Sequence, residues 1–238
     1  MKKIALIPSY EPDTKLTKLI EKLSVQGVFI IVVDDGSGEK YNDIFLKAKE
    51  NAHVISYSRN RGKGYALKTG LKFIKDNFNE DYIVVTLDSD GQHAVEDAIR
   101  LCDYVEKNPN ELVIGKRIRG KDTPLKSKIG NSITRIVYRI STGVNIYDTQ
   151  TGLRAFSKNL IDKMLKIKGD RYEYEMNMLL ILAKEGIKIK EIDIKTIYID
   201  NNSGSHFSAI KDSIIIYKQI LKFSFSSLIS FFCRLYIV

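Results

Sequence analysis

The chain has 238 residues, 44% of them hydrophobic and 28% charged, with a formal net charge of +9. That length and balance suit one large α/β domain or two small ones and exclude a disordered chain. Two distant cysteines, Cys102 and Cys233, exclude a disulfide framework, and the basic surplus points to phosphate-rich partners: nucleic acid, acidic lipid heads or anionic substrates.

Met1-Lys2-Lys3 leads into a short apolar strand, residues 4–7, closed by Pro8-Ser9-Tyr10-Glu11-Pro12. There is no long apolar core or small-residue cleavage site of a signal peptide, so the main body of the protein is expected in the cytoplasm. Residues 14–23 place Leu16, Leu19, Ile20 and Leu23 at helical spacing, with Asp13 or Thr14 as cap. A strand over 28–33 ends in Asp34-Asp35-Gly36-Ser37-Gly38. A helix spans 44–48 and a third strand 53–57. Arg59-Asn60-Arg61-Gly62-Lys63-Gly64 then opens a helix over 65–75. The run 82–87 is a buried strand that ends in Asp88-Ser89-Asp90-Gly91-Gln92-His93. A helix over 95–105 and a strand over 112–114 precede Gly115-Lys116-Arg117.

Strand and helix alternate, and each strand is almost wholly apolar. That pattern predicts an α/β fold with a mostly parallel central sheet covered by helices on both faces. Parallel strands bring their polar ends to one edge, so these clusters are expected to share one cleft. The second half predicts a helix over 126–141, with Lys128, Arg135 and Arg139 basic. A turn, Asp148 to Arg154, feeds a short strand. Helices follow over 159–165 and 173–183, then strands over 187–192 and 194–199 and a loop over 200–206.

Asp88 and Asp90 stand one residue apart at a strand end. Carboxylate oxygens are hard ligands suited to Mg²⁺ or Mn²⁺, so position and chemistry agree on a cation site; the alternative is a polar turn with two solvated Asp. Asp34-Asp35 is placed where nucleotide-binding sheets accept hydrogen bonds from a ribose or base. Gly62-Lys63-Gly64 offers close backbone approach and an anion-favouring helix start. It fits neither the phosphate loop of ATPases nor a dinucleotide fingerprint. Arg117, Lys126, Lys128 and Arg135 could receive a second phosphate; a solvated basic face is the alternative. His93 and His206 are candidate general bases. Glu173 and Glu175 fall on different helix faces, so at most one points into the cleft.

The strings IPSYEP, VVDDGS, NRGKGYAL, DSDGQH, GKR, DTQTGLRAF and YEYEMNMLL, in this order, resemble glycosyltransferase family 2 of the GT-A fold, from about residue 4 to 207. The similarity is to its dolichol-phosphate mannosyltransferase-like enzymes and bacterial polyprenyl-phosphate relatives. The resemblance implies a donor site of Pro8, Tyr10, Glu11, Asp35, Gly62, Lys63, Asp88 and His206. It implies a metal on Asp88 and Asp90, with Gln92 a further ligand, and an acceptor-phosphate site of Arg117 and Lys128. Asp148, Arg117 and Asp90 are its candidate catalytic residues, Asp148 orienting acceptor or sugar. Ala94-Val95 departs from the family's proline turn. Ser127 stands where some relatives have arginine, and His206 where the mannosyltransferase branch often has lysine, so a mannose donor is not assumed.

The expected activity is metal-dependent, inverting transfer of a hexose from a UDP- or GDP-sugar to a polyprenyl phosphate at the cytoplasmic membrane face, with Mg²⁺ or Mn²⁺ as cofactor. Partners are the nucleotide-diphospho-sugar, the polyprenyl phosphate and the membrane surface, without nucleic acid; a homo-oligomer is left open. The catalytic domain is expected over 1–209, with an apolar membrane-associated segment over 210–238, shorter than the roughly 20 residues that span a bilayer. Extension of a lipid-linked or capsular saccharide is the second enzymatic reading, and a non-catalytic membrane- or nucleic-acid-binding module the third.

Overall fold

Seven strands form one sheet in the order β3-β2-β1-β4-β6-β5-β7 in a computed structural model that describes residues 1–118, 134–136, 138–195 and 197. The strands are β1 (Lys2–Ser9), β2 (Phe29–Asp34), β3 (His53–Ser56), β4 (Tyr82–Thr86), β5 (Leu112–Arg117), β6 (Arg154–Ser157) and β7 (Ile189–Ile194). β1 to β4 pair in parallel. Only β6 runs antiparallel, against both β4 and β5, so β5 and its parallel neighbour β7 point the same way as β1 to β4. The ends of β1 to β5 and the start of β6 therefore meet at one edge.

The helices are α1 (Thr14–Val25), α2 (Asn42–Ala48), α3 (Lys63–Asn77), α4 (Val95–Lys107), α5 (Ile161–Lys166) and α6 (Glu173–Lys184). Residues 134–136 and 138–142 are also helical. Alternate side chains of each strand enter opposite cores. Ile4, Leu6, Ile31, Val33 and Val84 join α3, α5 and α6 on one face. Ala5, Ile7, Val32, Ile83 and Val85 join α1, α2 and α4 on the other. Burial on both faces explains why these strands read as unbroken apolar runs. Asp13 caps α1 as expected, its side chain accepting from Lys15 N at 2.8 Å.

The expected GT-A-type α/β architecture is the one observed; some limits moved. β1 continues through Pro8, because pairing with β4 ends at Leu6 while pairing with β2 continues to Ser9. A missing N–H past the end of the β4 ladder breaks no bond on that side. Gly115, Lys116 and Arg117 lie within β5, held by the β7 ladder up to Arg117 beside Ile194. The same ladder makes one strand, Ile189–Ile194, of the stretch expected to divide at 193. Lys126, Ser127, Lys128, His206 and the segment 210–238 lie outside the described residues. Among the described residues no helix is long and apolar enough to cross a membrane.

Candidate active site

The order of the sheet reverses between β1 and β4, the place where open α/β sheets bind ligands. Three loops meet there first. Glu11 N donates to Ser37 Oγ at 2.9 Å, and Ser37 N donates to Asp34 Oδ1 at 2.9 Å. This clasps the loop after β1 to the loop after β2. Glu11 takes a φ of 49°, which a side chain rarely adopts. Tyr10 beside it hydrogen-bonds the Glu11 carboxylate, which raises its pKa.

Asp35 is 2% exposed and turned inward. Its carboxylate accepts from Tyr57 Oη at 2.6 Å, Asn60 Nδ2 at 3.0 Å, Arg61 N at 2.8 Å and Gly62 N at 2.8 Å. Four donors match the lone pairs a carboxylate offers. The Asp35 carboxylate thus holds the loop that opens α3; its expected contact with a ribose or base is carried forward as a proposal. It also supplies the negative charge that the start of α3 favours, the place expected for a ligand phosphate. Gly62 belongs to the same loop. Its φ is 102°, and a Cβ there would lie 2.4 Å from Asp170 O. The glycine admits the close approach of the loop before α6.

The paired Asp follow β4 directly. Lys63, the first residue of α3, reaches across with Nζ 2.6 Å from Asp88 Oδ1 and 2.9 Å from Glu175 Oε2 on α6. Asp88 Oδ2 lies 3.2 Å from His93 Nε2. A carboxylate at Nε2 assigns the proton to that nitrogen, leaving the buried Nδ1, which has no partner among the described residues. On the far side of Glu175, Arg154 is 1% exposed. Its Nη1 donates to the Glu175 carbonyl at 2.6 Å and its Nε to Thr151 O at 3.0 Å. The result is an alternating chain, Arg154, Glu175, Lys63, Asp88, His93, beneath the cleft. Gly152 presses on it, since a Cβ there would sit 2.4 Å from Asp88 Oδ2.

Burial alone would raise the Asp88 pKa, but the Lys63 charge and His93 hold it well below the carboxylate range. Asp90 moves the other way, raised by burial and by the charge of Asp88. Its Oδ1 accepts from Gln92 N at 3.0 Å. No group of three His, Cys, Asp or Glu suited to a metal exists among the described residues. Mg²⁺-type sites use one or two carboxylates plus substrate phosphates. Burial and the charge of Asp88 both disfavour a negative charge on Asp90, and a divalent cation bound there would offset them.

At the end of β5, Arg117 meets Asp148 side-on. Nε lies 2.7 Å from Oδ2 and Nη2 3.0 Å from Oδ1. Asp148 is 1% exposed and its Oδ1 also accepts from Gln150 N. Glu191 on β7 holds the turn from below, accepting from Tyr147 N at 2.8 Å and Asp148 N at 2.9 Å. Asp148 thus touches Arg117 with both oxygens, which fixes the plane of the guanidinium.

The structure gathers Tyr10, Glu11, Asp88, Asp90, Gln92, Lys63, Arg117 and Asp148 at one edge, with Pro8 and Asp35 supporting from within. Sequence reasoning gave no role to Arg154 or Glu191 and only a conditional one to Glu175. Glu175 was visible as a lone carboxylate inside the apolar run of α6. Glu173 faces the other way and accepts from Asp170 N at 3.0 Å.

This sheet, with its single antiparallel strand and polar edge, is the GT-A fold, and the protein is a glycosyltransferase. The chain belongs to glycosyl transferase family 2, whose model matches residues 5–165. It is similar to the UDP-N-acetylglucosamine–dolichyl-phosphate N-acetylglucosaminyltransferase of Methanococcus voltae, 29% identical over 91% of this chain and 94% of that protein. It is 24% identical to polyprenol monophosphomannose synthase of Mycolicibacterium smegmatis, over 80% of this chain and 76% of that one. Among solved structures, glucosyl-3-phosphoglycerate synthase from Mycobacterium tuberculosis superposes with a TM-score of 0.67 at 18% identity. That match covers 94% of this chain and 79% of that one, and that structure holds Mn²⁺, UDP-glucose and phosphoglyceric acid.

Proposed function

We propose that the enzyme transfers a hexose from a UDP- or GDP-sugar to a polyprenyl phosphate, with inversion at the anomeric carbon, at the cytoplasmic face of a membrane. The observation that carries this reading is the state of Asp148 and Glu175, the carboxylates that a hydroxyl acceptor would call on. Asp148 is held by Arg117, and Glu175 by Lys63. A hydroxyl acceptor needs a base to take its proton, whereas a phosphate is already an anion near neutral pH. Transfer to a phosphate, which asks neither carboxylate to act as a base, therefore fits better than saccharide extension. The names of the M. voltae and M. smegmatis relatives, both transferases to polyprenyl-type phosphates, support it further.

In this mechanism Pro8, Tyr10, Glu11 and Asp35 bound the nucleoside end. Asp90 and Asp88, with Gln92 beside them, would hold Mg²⁺ or Mn²⁺, which supplies charge neutralisation as the nucleoside diphosphate departs. Arg117 orients the acceptor phosphate, its guanidinium plane fixed by Asp148. Lys128 and His206 are assigned to acceptor phosphate and donor diphosphate. Residues 1–209 form the catalytic domain, and 210–238 associate with the membrane.

The surface beside Arg117 supports the membrane assignment. Ile118 and Tyr147 are exposed there, Ile136 and Ile140 are exposed on the helical stretch that carries Arg135, and Arg135 stacks on the Tyr147 ring at 4.0 Å from its centroid. Apolar groups interleaved with cations suit an anionic lipid interface. The direct test is a screen of radiolabelled nucleotide sugars with short-chain polyprenyl phosphate and Mn²⁺ or Mg²⁺. A labelled lipid product is expected. Label transferred only to a saccharide acceptor would replace this reading with saccharide extension.

A further inference from the structure

Lys63 is the first residue of α3, and its backbone is fixed. Asp35 holds Gly62 N, and Tyr65 N donates to Asp170 O at 2.9 Å. Only the flexible stem can move. Its ammonium sits between two carboxylates on different elements, Asp88 at 2.6 Å and Glu175 at 2.9 Å. The three side chains are 17%, 30% and 11% exposed, so each charge depends on the others for compensation.

We propose that Lys63 is the resident counter-ion of Asp88 while the donor is absent, and that Glu175 is the second seat that keeps the ammonium beside the site once a divalent cation claims Asp88. This rests on the assignment of Asp88 and Asp90 to a cation. A lysine suits the task because an ammonium is a point charge on a rotatable stem, whereas an arginine fork is bound to one plane. Glu175 is itself secured, since Arg154 approaches its side chain at 4.0 Å and takes its backbone carbonyl. Lys63 can then leave Asp88 without stranding a buried charge. A cation arriving alone must displace Lys63. A cation arriving with a diphosphate also brings oxygens to which Lys63 can turn, so metal and donor bind cooperatively.

The test is a Mn²⁺ titration of the full chain without nucleotide, read by electron paramagnetic resonance of the free ion, with thermal unfolding to verify folding. The native protein should bind weakly. Lys63→Met should bind Mn²⁺ at least about tenfold more tightly, the effect of removing one competing unit charge a few ångströms away. Glu175→Gln should weaken binding, because Lys63 is then left to Asp88 alone. If Glu175 acts through Lys63, Glu175→Gln should have little effect in the Lys63→Met background.

Folded Lys63→Met that binds no more tightly than the native protein would overturn the proposal. So would Glu175→Gln that binds as well as the native protein, and this second variant decides the matter if Lys63→Met does not fold. The underlying cation assignment is separated by Asp90→Ala. Binding that is lost in Asp90→Ala but indifferent to Lys63 and Glu175 removes only the counter-ion role. Binding unchanged in Asp90→Ala, with or without UDP-sugar, removes the cation assignment and this proposal with it.

Discussion

The two sides of the cleft solve the same electrostatic problem differently. On the side proposed for the donor, at the ends of β1 to β4, one ammonium is shared by Asp88 and Glu175 in a chain of alternating charges. On the side proposed for the acceptor, β5 to β7, one guanidinium meets one carboxylate in a two-point contact, Arg117 on Asp148. A shared point charge can change partners, while a planar fork is held in one orientation. In the proposed mechanism the first arrangement lets a cation be exchanged, and the second keeps the acceptor contact still. The supporting residues follow the same division. Asp35 draws four donors around the α3 loop, while Glu191 collects two backbone N–H groups beneath Asp148.

The contrast can be broken in four ways, from the largest effect to the smallest. Asp90→Ala should lower sugar transfer by about a thousandfold with the fold retained, the scale of losing a group that stabilises developing charge. Activity near the native level with metal present would end the division at its donor half. Arg117→Lys should fall about a hundredfold in kcat/KM for the acceptor, because a point charge cannot restore the two-point contact with Asp148. Donor affinity should be unchanged; a loss confined to donor affinity would move Arg117 to the other side of the cleft.

Asp35→Asn should cost about 2 kcal/mol in chemical denaturation, since an amide presents an N–H₂ where the native carboxylate accepts. Its effect on donor binding should come through the displaced α3 loop, so a second-site change that restores stability should recover most of it. Glu11→Gly should raise stability by up to about 1 kcal/mol, relieving the positive φ, while weakening donor binding. Equal or lower stability would mean that the Glu11 side chain, which hydrogen-bonds Tyr10, contributes more than the backbone strain costs.

Much of this was legible in the sequence, and the reason is periodicity. Continuous apolar runs followed by polar clusters could only be buried parallel strands with their loops on one edge, and Asp88, Asp90 and Arg117 were placed there correctly. The second half was harder. Residues 187–199 alternate too weakly to mark a strand's limits, and the ladder with β5 set them instead. Gly62 illustrates a different gap: local sequence says that a backbone must come close, but not to what.

The sequence by itself determined the sheet, its polar edge, the family and the identities of the charged groups, because those depend on patterns within short windows. Only the tertiary structure decided which charges are spent on each other. Lys63, Asp88 and Glu175 are separated by long stretches of chain and meet only because α3, the β4 loop and α6 pack together. Asp35 and Asp34 are neighbours with the same chemistry, yet one turns inward to four donors and the other accepts from Ser37 at the cleft. A carboxylate's role is set by the groups it reaches once buried, and that is a property of the packing.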